Sequence, residues 1–334
     1  MSEGIELDLN EMPYPPPQNV IQAARDSLEY LNRYTELSAI RRIRELLADY
    51  AGVAGEQIVI GPGSDLLLRE IVLCFAAERK VVMASPTFLS TVQVARRFAG
   101  QLVSIRLSQP EFSLAKEPLL EELTEPSLVI IDNPNNPTGR LLLDRETVEN
   151  ILDMPDTLLV VDEAYFEFSG LTFAELVAEH ANLALARTLD KAFGLAGARI
   201  GYLIAGQTFL DAFSTSFAFL PQPSLQAATE ALLHPGYMWK NVQSIMHERE
   251  RLCRELEILG AVVFQSSTNF LLVRSKTPSL ADELRDRGVL VMDVSNQLGP
   301  GFIRLAVGTP EDNDAFIRVY RSIMERKGQE SIYE

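Results

Sequence analysis

Residues 187–202 read RTLDKAFGLAGARIGY and place one lysine, Lys191, between an apolar run and a turn rich in glycine. The apolar run at residues 183–186 predicts a short buried strand, and the glycines let the backbone turn sharply or approach a ligand. A lysine held out of water at such a turn can act as a Schiff-base nucleophile. A surface lysine on a loop is the alternative, and this stretch alone does not separate the two.

Two further apolar runs upstream end in polar residues. The run at residues 128–131 leads into DNPNNPTG at residues 132–139, a composition typical of turns. Asn136 can donate to a phenolate oxygen of a ligand, although a plain loop would have the same composition. The run at residues 158–161 suits a strand covered on both faces, and Asp162 after it needs a partner because a buried acid is costly. A protonated heterocycle nitrogen, a helix N-cap or an arginine would each provide one.

Strands and helices alternate along most of the chain. The alternation predicts a mostly parallel sheet covered by helices, with ligands bound at the carboxyl ends of its strands. We expect an extended, proline-rich arm at residues 1–19, a large domain at residues 20–235 and a small C-terminal α/β domain at residues 236–334. Strand-like runs of the large domain recur at residues 81–83, 102–105, 128–131, 158–161, 183–186 and 201–204.

Together, the lysine, asparagine and aspartate motifs resemble those of the fold-type I aminotransferases that use pyridoxal phosphate, most closely the histidinol-phosphate aminotransferases. The resemblance runs from NEMPY at residues 10–14 to IRLAVGTP at residues 303–310, and the motifs occur in the family's order. It implies a large domain built on a mostly parallel seven-stranded sheet between helices, and pyridoxal 5'-phosphate as the cofactor. It also implies a homodimer.

The resemblance assigns a role to each motif residue around the cofactor ring. Lys191 is implied to bind the cofactor covalently and to move the substrate's proton, with Asp162 and Tyr165 as the other catalytic residues. Asp162 would keep the pyridine nitrogen protonated, so that the ring can accept electrons. Asn136 and Tyr165 would donate hydrogen bonds to the 3-oxygen of the ring. Phe88 would stack on the ring, although a core phenylalanine is the alternative for this residue.

A second group of residues is implied to bind the cofactor's phosphate. The loop GPGSD at residues 61–65 leads into an apolar helix, and free N–H groups at a helix N-terminus attract anions. Arg199 would add charge-assisted hydrogen bonds. Tyr34 matches a tyrosine that relatives reach across the dimer interface into the neighbour's phosphate site. The implied phosphate-binding residues are Gly63, Ser64, Asp65, Thr188, Arg199 and Tyr34.

The substrate-binding residues depart from the family's pattern. Arg304 matches the arginine that grips a substrate carboxylate or an equivalent anion, and Tyr14 and Asn136 are the other implied substrate-binding residues. Met292 stands where histidinol-phosphate enzymes usually carry a phosphate-binding arginine, a loss of about 1.5–3 kcal/mol of charge-assisted hydrogen bonding. Asp190 replaces a serine that contacts the cofactor phosphate, so we expect it to point elsewhere or to pair with an arginine.

These departures favour an apolar or aromatic amino acid, or a specialised biosynthetic amine, as the amino donor, with histidinol phosphate as the nearest named alternative. The predicted reaction moves the amino group from an amino acid or related amine to a 2-oxo acid such as 2-oxoglutarate by a ping-pong mechanism. A pyridoxal-phosphate-dependent decarboxylase of the threonine-phosphate type is the alternative, because the same residues serve both reactions. The apolar pocket would be lined by Tyr14, Phe213, Phe217, Phe219 and Met292, although helix packing would also explain the phenylalanines.

The composition argues against several other classes. The formal net charge of −16 disfavours nucleic acid and anionic membranes as partners, and the chain lacks the G-x-G-x-x-G turn of a nicotinamide-dependent dehydrogenase. The histidines are too dispersed for a metal site, and no signal peptide or membrane span is recognisable. Cys74 and Cys253 lie in helical patterns, which predicts buried free thiols in a reducing cytoplasm. A ligand sensor that kept this fold is disfavoured because the whole set of catalytic residues is present.

Overall fold

Two β-sheets organise the part of the chain that the structure describes. The structure is a computed structural model that describes residues 4–213 and 219–330, with side chains as far as residue 326. Its strands are β1 (Ile5–Leu7), β2 (Ile58–Gly61), β3 (Lys80–Ser85), β4 (Gln101–Arg106), β5 (Ser127–Asp132), β6 (Thr157–Asp162), β7 (Leu183–Thr188), β8 (Gly201–Ala205), β9 (Val262–Val263), β10 (Phe270–Arg274), β11 (Val289–Asp293) and β12 (Phe302–Ala306).

Helices connect the strands and flank the sheets. The α-helices are α1 (Gln18–Asp26), α2 (Leu37–Ala51), α3 (Ser64–Phe75), α4 (Leu89–Phe98), α5 (Lys116–Glu121), α6 (Arg145–Leu152), α7 (Phe166–Ser169), α8 (Gln207–Phe213), α9 (Gln222–Leu233), α10 (Gly236–Ile258), α11 (Leu280–Arg285), α12 (Ser295–Leu298) and α13 (Pro310–Glu330). Short 3-10 helices occupy Ser27–Tyr30, Gly55–Gln57, Ala76–Glu78, Ala174–Ala178 and Ala196–Ala198.

The larger sheet has seven strands in the order β2-β8-β7-β6-β5-β3-β4. The five strands from β7 to β4 in this order are parallel, and β8 is antiparallel to both of its neighbours. This arrangement confirms the predicted α/β fold with a mostly parallel seven-stranded sheet. Asp132 at the end of β5 is the register partner of Asp162 at the end of β6, so the two acids share one edge of the sheet.

The central strands are apolar along their whole length because both faces of the sheet are covered. On β5, Leu128 and Ile130 belong to one hydrophobic core, whereas Val129 and Ile131 belong to the other. Every residue of β5, β6 and β7 is buried. Continuous apolar runs are expected of parallel strands packed between helices, and they hold the strand ends in fixed positions.

The smaller sheet has the order β1-β11-β12-β10-β9 and packs against α10 and α13. Its first strand comes from the N-terminal arm, because Ile5 of β1 pairs with Val289 of β11 in parallel register. The arm was predicted to be extended through residue 19, but helix α1 already begins at Gln18, directly after Pro17. The division into domains at residues 19 and 235 stays a prediction.

The cysteine side chains differ from the sequence-based expectation. Cys74 is exposed and Cys253 is only half-buried, so the prediction of buried thiols is wrong. On α3, the buried stripe includes Leu68, Ile71 and Val72, and Cys74 lies to one side of it. A helical pattern places a residue on a helix, but the width of the buried face decides whether that residue is covered.

Candidate active site

A cavity of about 340 Å³ opens where β5 and β6 end and where the chain leaves β7. Six residues that the sequence predicts to bind cofactor or substrate line it: Phe88, Asn136, Asp162, Tyr165, Lys191 and Arg304. The other lining residues are Leu9, Asn10, Thr87, Leu89, Asp132, Pro134, Pro137, Met292, Asp293, Val294 and Gln297. The cavity therefore joins residues that are almost 300 positions apart in the chain, from Leu9 to Arg304.

Asp162 is a buried carboxyl group that lacks a cation among the residues the structure describes. Its side chain is only 8% exposed, and it accepts a hydrogen bond of 3.0 Å from the backbone N–H of Ala164. Burial, with the neighbouring carboxyl of Asp132, raises the pKa of Asp162 to about 7. Of the partners considered from the sequence, the arginine is absent within the described chain, and a cationic ring nitrogen would suit this carboxyl.

Asp132 is a buried acid whose role the sequence analysis missed. Its carboxylate accepts hydrogen bonds from the hydroxyl of Thr87, from Nδ2 of Asn135 at 3.2 Å and from the backbone N–H of Asn136 at 2.8 Å. Burial raises its pKa to about 6 in spite of these bonds. Asp132 thus joins the loop before Phe88 to the loop of Asn136. An acid ending an apolar strand was the signal that identified Asp162, and it applied here too.

Lys191 is held by backbone oxygens of the N-terminal arm. Its Nζ donates to the carbonyl of Leu9 at 3.1 Å and to the carbonyl of Asn10 at 3.3 Å. The same Nζ lies 5.9 Å from the centre of the Tyr165 ring. Neutral carbonyls leave the charge of the ammonium group unpaired, so an incoming reactant does not have to break an ion pair at Lys191.

The N-terminal arm also contacts the other polar side chains of the cavity. Nδ2 of Asn10 donates to the hydroxyl of Tyr165 at 3.0 Å, and Nδ2 of Asn269 donates to the carbonyl of Asn10 at 2.9 Å. Asn10 has a φ of 54°, a left-handed conformation that asparagine adopts more readily than most residues. This turn directs the carbonyl groups of the arm toward the cavity.

Arg304 is a buried guanidinium that contacts only neutral acceptors among the described residues. It is 8% exposed, and it donates to Oδ1 of Asn136 at 2.7 Å and to the carbonyl of Asp8 at 2.5 Å. Its Nε has no hydrogen-bond partner, and burial lowers the pKa of this arginine. Met292 is its cross-strand partner on β11. A carboxylate or phosphate would supply the negatively charged partner that the guanidinium of Arg304 lacks.

Three of the predicted phosphate-binding residues, Gly63, Ser64 and Arg199, meet at the N-terminus of α3. Gly63 has a φ of 84°, and a Cβ there would lie 2.5 Å from Nη2 of Arg199. Gly201 packs against the same turn, because a Cβ at Gly201 would lie 2.3 Å from the backbone nitrogen of Ser64. Only glycine fits at either position, and the helix N-terminus and a guanidinium are thereby brought together. Such a concave cup of N–H groups and positive charge suits a phosphate group.

Other predicted residues complete the surroundings of this cup. Oγ1 of Thr188 accepts a hydrogen bond of 3.0 Å from the backbone nitrogen of Asp190, and Oδ1 of Asp65 accepts one of 2.6 Å from Ser90. Asp190 forms an ion pair with Arg199, one of the two arrangements expected for it. Burial raises the pKa of Asp190, while Arg199 opposes the shift.

Several predicted residues lie away from the cavity. Tyr14 is not among its lining residues, and Tyr34 is 83% exposed with its ring centre 5.0 Å from that of Phe219. Phe213 is buried in the core that contains Phe209, so it does not line the cavity. Phe217 lies outside the described residues. Of the described residues suggested for the apolar pocket, Met292 is the one that lines the cavity.

The site fits pyridoxal phosphate on its own chemistry. A buried carboxyl without a cation, a lysine without a carboxylate and a glycine cradle beside an arginine correspond to the ring nitrogen, the aldehyde and the phosphate of that cofactor. No cluster of three or more histidine, cysteine or acidic residues able to hold a metal occurs in residues 4–213 and 219–330. None of the helices in those residues is long and apolar enough to cross a membrane.

The sequence profile of the family described as aminotransferase class I and II matches residues 2–319. The chain therefore belongs to this family, and it is a pyridoxal-phosphate-dependent aminotransferase. The decarboxylase alternative is not favoured, because relatives that are 35% and 36% identical over almost the whole chain are named as aminotransferases.

Among these relatives, the histidinol-phosphate aminotransferase of Sulfurisphaera tokodaii is 35% identical over 97% of this chain and 92% of its own length. The enzyme of the same name from Thermococcus gammatolerans is 36% identical over 98% of this chain and 93% of its own. The crystal structure of histidinol-phosphate aminotransferase from Sinorhizobium meliloti in complex with pyridoxal-5'-phosphate has a TM-score of 0.88 and 26% identity, covering 97% of this chain and 91% of that one. These similarities confirm the resemblance identified from the motifs.

Proposed function

We propose that the amino donor of this aminotransferase presents one anionic group to Arg304 and an apolar or aromatic body to the rest of the cavity. The acceptor is a 2-oxo acid such as 2-oxoglutarate, and the half-reactions follow in ping-pong order. The observation that carries this proposal is the pairing of Arg304 with Met292 across β12 and β11. An arginine at position 292 would offer a second cation to a dianion, whereas Met292 offers apolar surface.

Each polar side chain of the cavity would have its own role in the reaction. Bound pyridoxal phosphate supplies an electron sink for the carbanion left when the donor's Cα loses its proton. Lys191 would take that proton on Nζ once it is a neutral amine, and its contacts there are the neutral carbonyls of Leu9 and Asn10. Asp162 would hold the ring nitrogen and, through its buried negative charge, favour the protonated form of that nitrogen. Tyr165 and Asn136 would bind the ring's 3-oxygen, and Phe88 would hold the ring from one side.

Arg304 would select and orient both substrates. Its present acceptors, Oδ1 of Asn136 and the carbonyl of Asp8, are neutral, and charge-assisted bonds to a carboxylate are roughly twice as strong as neutral ones. A carboxylate would therefore displace one or both. Because donor and acceptor bind in turn, a single guanidinium can serve both carboxylates, which agrees with a ping-pong order.

Histidinol phosphate is a second candidate for the donor, favoured by the names of the relatives described above. Its phosphate would bind Arg304 with no second arginine at position 292. The carboxylate of Asp293 also lines the cavity. A dianion would therefore have one cation fewer than in relatives with two arginines, and a nearby carboxylate would repel it. This weighs against histidinol phosphate, although Arg304 alone still offers it an anchor.

The test adds single amino donors to the cofactor-loaded protein without a 2-oxo acid and follows conversion of the cofactor to its amine form by absorbance. We expect phenylalanine, tyrosine or leucine to react faster than histidinol phosphate. Met292→Arg should favour histidinol phosphate by roughly tenfold or more, the effect of one charge-assisted bond. Met292→Leu is the matched control because it keeps size and apolarity. Faster conversion with histidinol phosphate in the unaltered protein would reject the apolar donor in favour of the second candidate.

The protein would act as a homodimer in the cytoplasm. Tyr34 is exposed and does not line the cavity of its own chain, and this supports the idea that it reaches the phosphate site of a second copy. The free thiols of Cys74 and Cys253 support a reducing compartment. Cell fractionation tests the location, and the assembly is tested below.

A further inference from the structure

The ion pair between Asp190 and Arg199 lies inside the proposed phosphate site. Asp190 is 7% exposed, whereas the side chain of Arg199 is half-exposed. One carboxylate oxygen of Asp190 accepts from Nη1 of Arg199, and the other, Oδ1, is buried and has no hydrogen-bond partner among the residues that the structure describes. A buried acceptor without a donor is costly, so the position of this carboxyl group leaves one of its two oxygens without a hydrogen bond.

The same guanidinium faces the glycine cradle at the start of α3. Nη2 of Arg199 would lie 2.5 Å from a Cβ at Gly63, and a Cβ at Gly201 would lie 2.3 Å from the backbone nitrogen of Ser64. An anion that binds these N–H groups would therefore approach both Arg199 and the carboxylate already bound to it. The positive charge is shared between two acids, and like charges at short range disfavour each other.

We propose that Asp190 acts as an internal competitor for Arg199 and so weakens the hold of the cup on the phosphate of the cofactor. The inference rests on the proposed cofactor site, because it takes Arg199 as the phosphate's cation. Lys191 is the other charged group that acts on Asp190, but it belongs to the aldehyde end of the cofactor. The competition therefore concerns the phosphate and leaves the ring contacts unchanged.

The experiment compares the cofactor with a version of it that lacks the phosphate. Cofactor-free protein is titrated with pyridoxal phosphate and separately with pyridoxal, and the dissociation constants are measured by absorbance or fluorescence. Asp190→Asn keeps the shape of the side chain and removes its charge, and Asp190→Ser removes the carboxyl altogether. Asp314→Asn is the control, because it removes an acid that pairs with Arg251 away from the cavity.

We expect Asp190→Asn and Asp190→Ser to bind pyridoxal phosphate about tenfold more tightly, a change of about 1.4 kcal/mol, with little change for pyridoxal. An equal or weaker affinity for pyridoxal phosphate in both variants would overturn the inference and make Asp190 a support that positions Arg199. An equal gain in Asp314→Asn would also overturn it, because net charge would then be the cause. Failure of the unaltered protein to bind either compound would instead reject the proposed cofactor site.

Discussion

The adjacent carboxyl groups of Asp132 and Asp162 give the cofactor-free protein a specific dependence on pH. Burial raises their pKa values to about 6 and about 7, above the usual value of about 4 in an unfolded chain. The folded protein therefore binds more protons than the unfolded chain between these limits. Linkage then requires that the contribution of these groups to the free energy of unfolding falls as the pH rises from about 4 to about 7.

Asp162→Asn should remove a large part of that dependence. As the pH rises from about 4 to about 7, we expect the free energy of unfolding of the cofactor-free unaltered protein to fall relative to that of Asp162→Asn. Urea unfolding at several pH values measures it. Asp286→Asn, at an exposed carboxyl, serves as the control. A difference that stays constant over this range would show that Asp162 is not perturbed in the folded protein.

At the scale of elements, the N-terminal arm can be tested through Asn10. Asn10→Gly keeps the left-handed backbone but removes the hydrogen bond to Tyr165, which should lower the free energy of unfolding by about 1 kcal/mol. Asn10→Ala leaves a Cβ at φ of 54° without the polar side chain that lets asparagine adopt this conformation, so it should cost about 1–2 kcal/mol more than Asn10→Gly. Urea unfolding of the two variants separates the side-chain contribution from that of the backbone. Equal stabilities of both variants would show that the turn at Asn10 is not under conformational constraint.

The central elements could be predicted from the sequence because their signals are local. The apolar runs of β5 to β7 are continuous, since both faces are buried. The side chains Lys191, Asp162, Asn136, Tyr165, Phe88 and Arg304, expected from the motifs, do meet in one cavity. Their individual roles stay predictions.

Other features depend on contacts between distant segments and left no local signal. Strand β1 is three residues long and exists because it pairs with β11, almost the whole chain away. The contacts of Asp8 and Leu9 with Arg304 and Lys191 use backbone oxygens, so they cannot be predicted from the residue types at these positions. Phe213 and Phe219 could not be assigned by periodicity, because the packing of neighbouring helices decides which one is buried.

For the whole molecule, an exposed apolar surface near Tyr34 is where the proposed dimer contact would lie. Leu31 is 69% exposed, and Tyr30, Tyr34, Leu37 and Phe219 are also exposed among the described residues. Monomeric proteins rarely leave a patch of this kind open. The proposed dimer would cover this surface and bring Tyr34 to the cup of the second copy.

Leu31→Asp should weaken the dimer, because it places a charge in an apolar contact. We expect the dimer dissociation constant to rise by about tenfold or more, and binding of pyridoxal phosphate to weaken as Tyr34 leaves the second site. Analytical ultracentrifugation measures the first effect. Ile258→Asp is the control, because Ile258 is 80% exposed at the end of α10. A dimer unaffected by Leu31→Asp would place the interface elsewhere.

The backbone contacts of the N-terminal arm determine which of its residues can be substituted in laboratory evolution. Asp8 and Leu9 reach Arg304 and Lys191 through carbonyl oxygens, which every amino acid carries. A library randomised at these two positions would retain those contacts while changing the side chain of Leu9 that lines the cavity. Asn10 has no such freedom, because the turn restricts it to glycine, asparagine or aspartate. Donor preference could therefore be diversified at position 9 without disturbing the polar groups of the cavity.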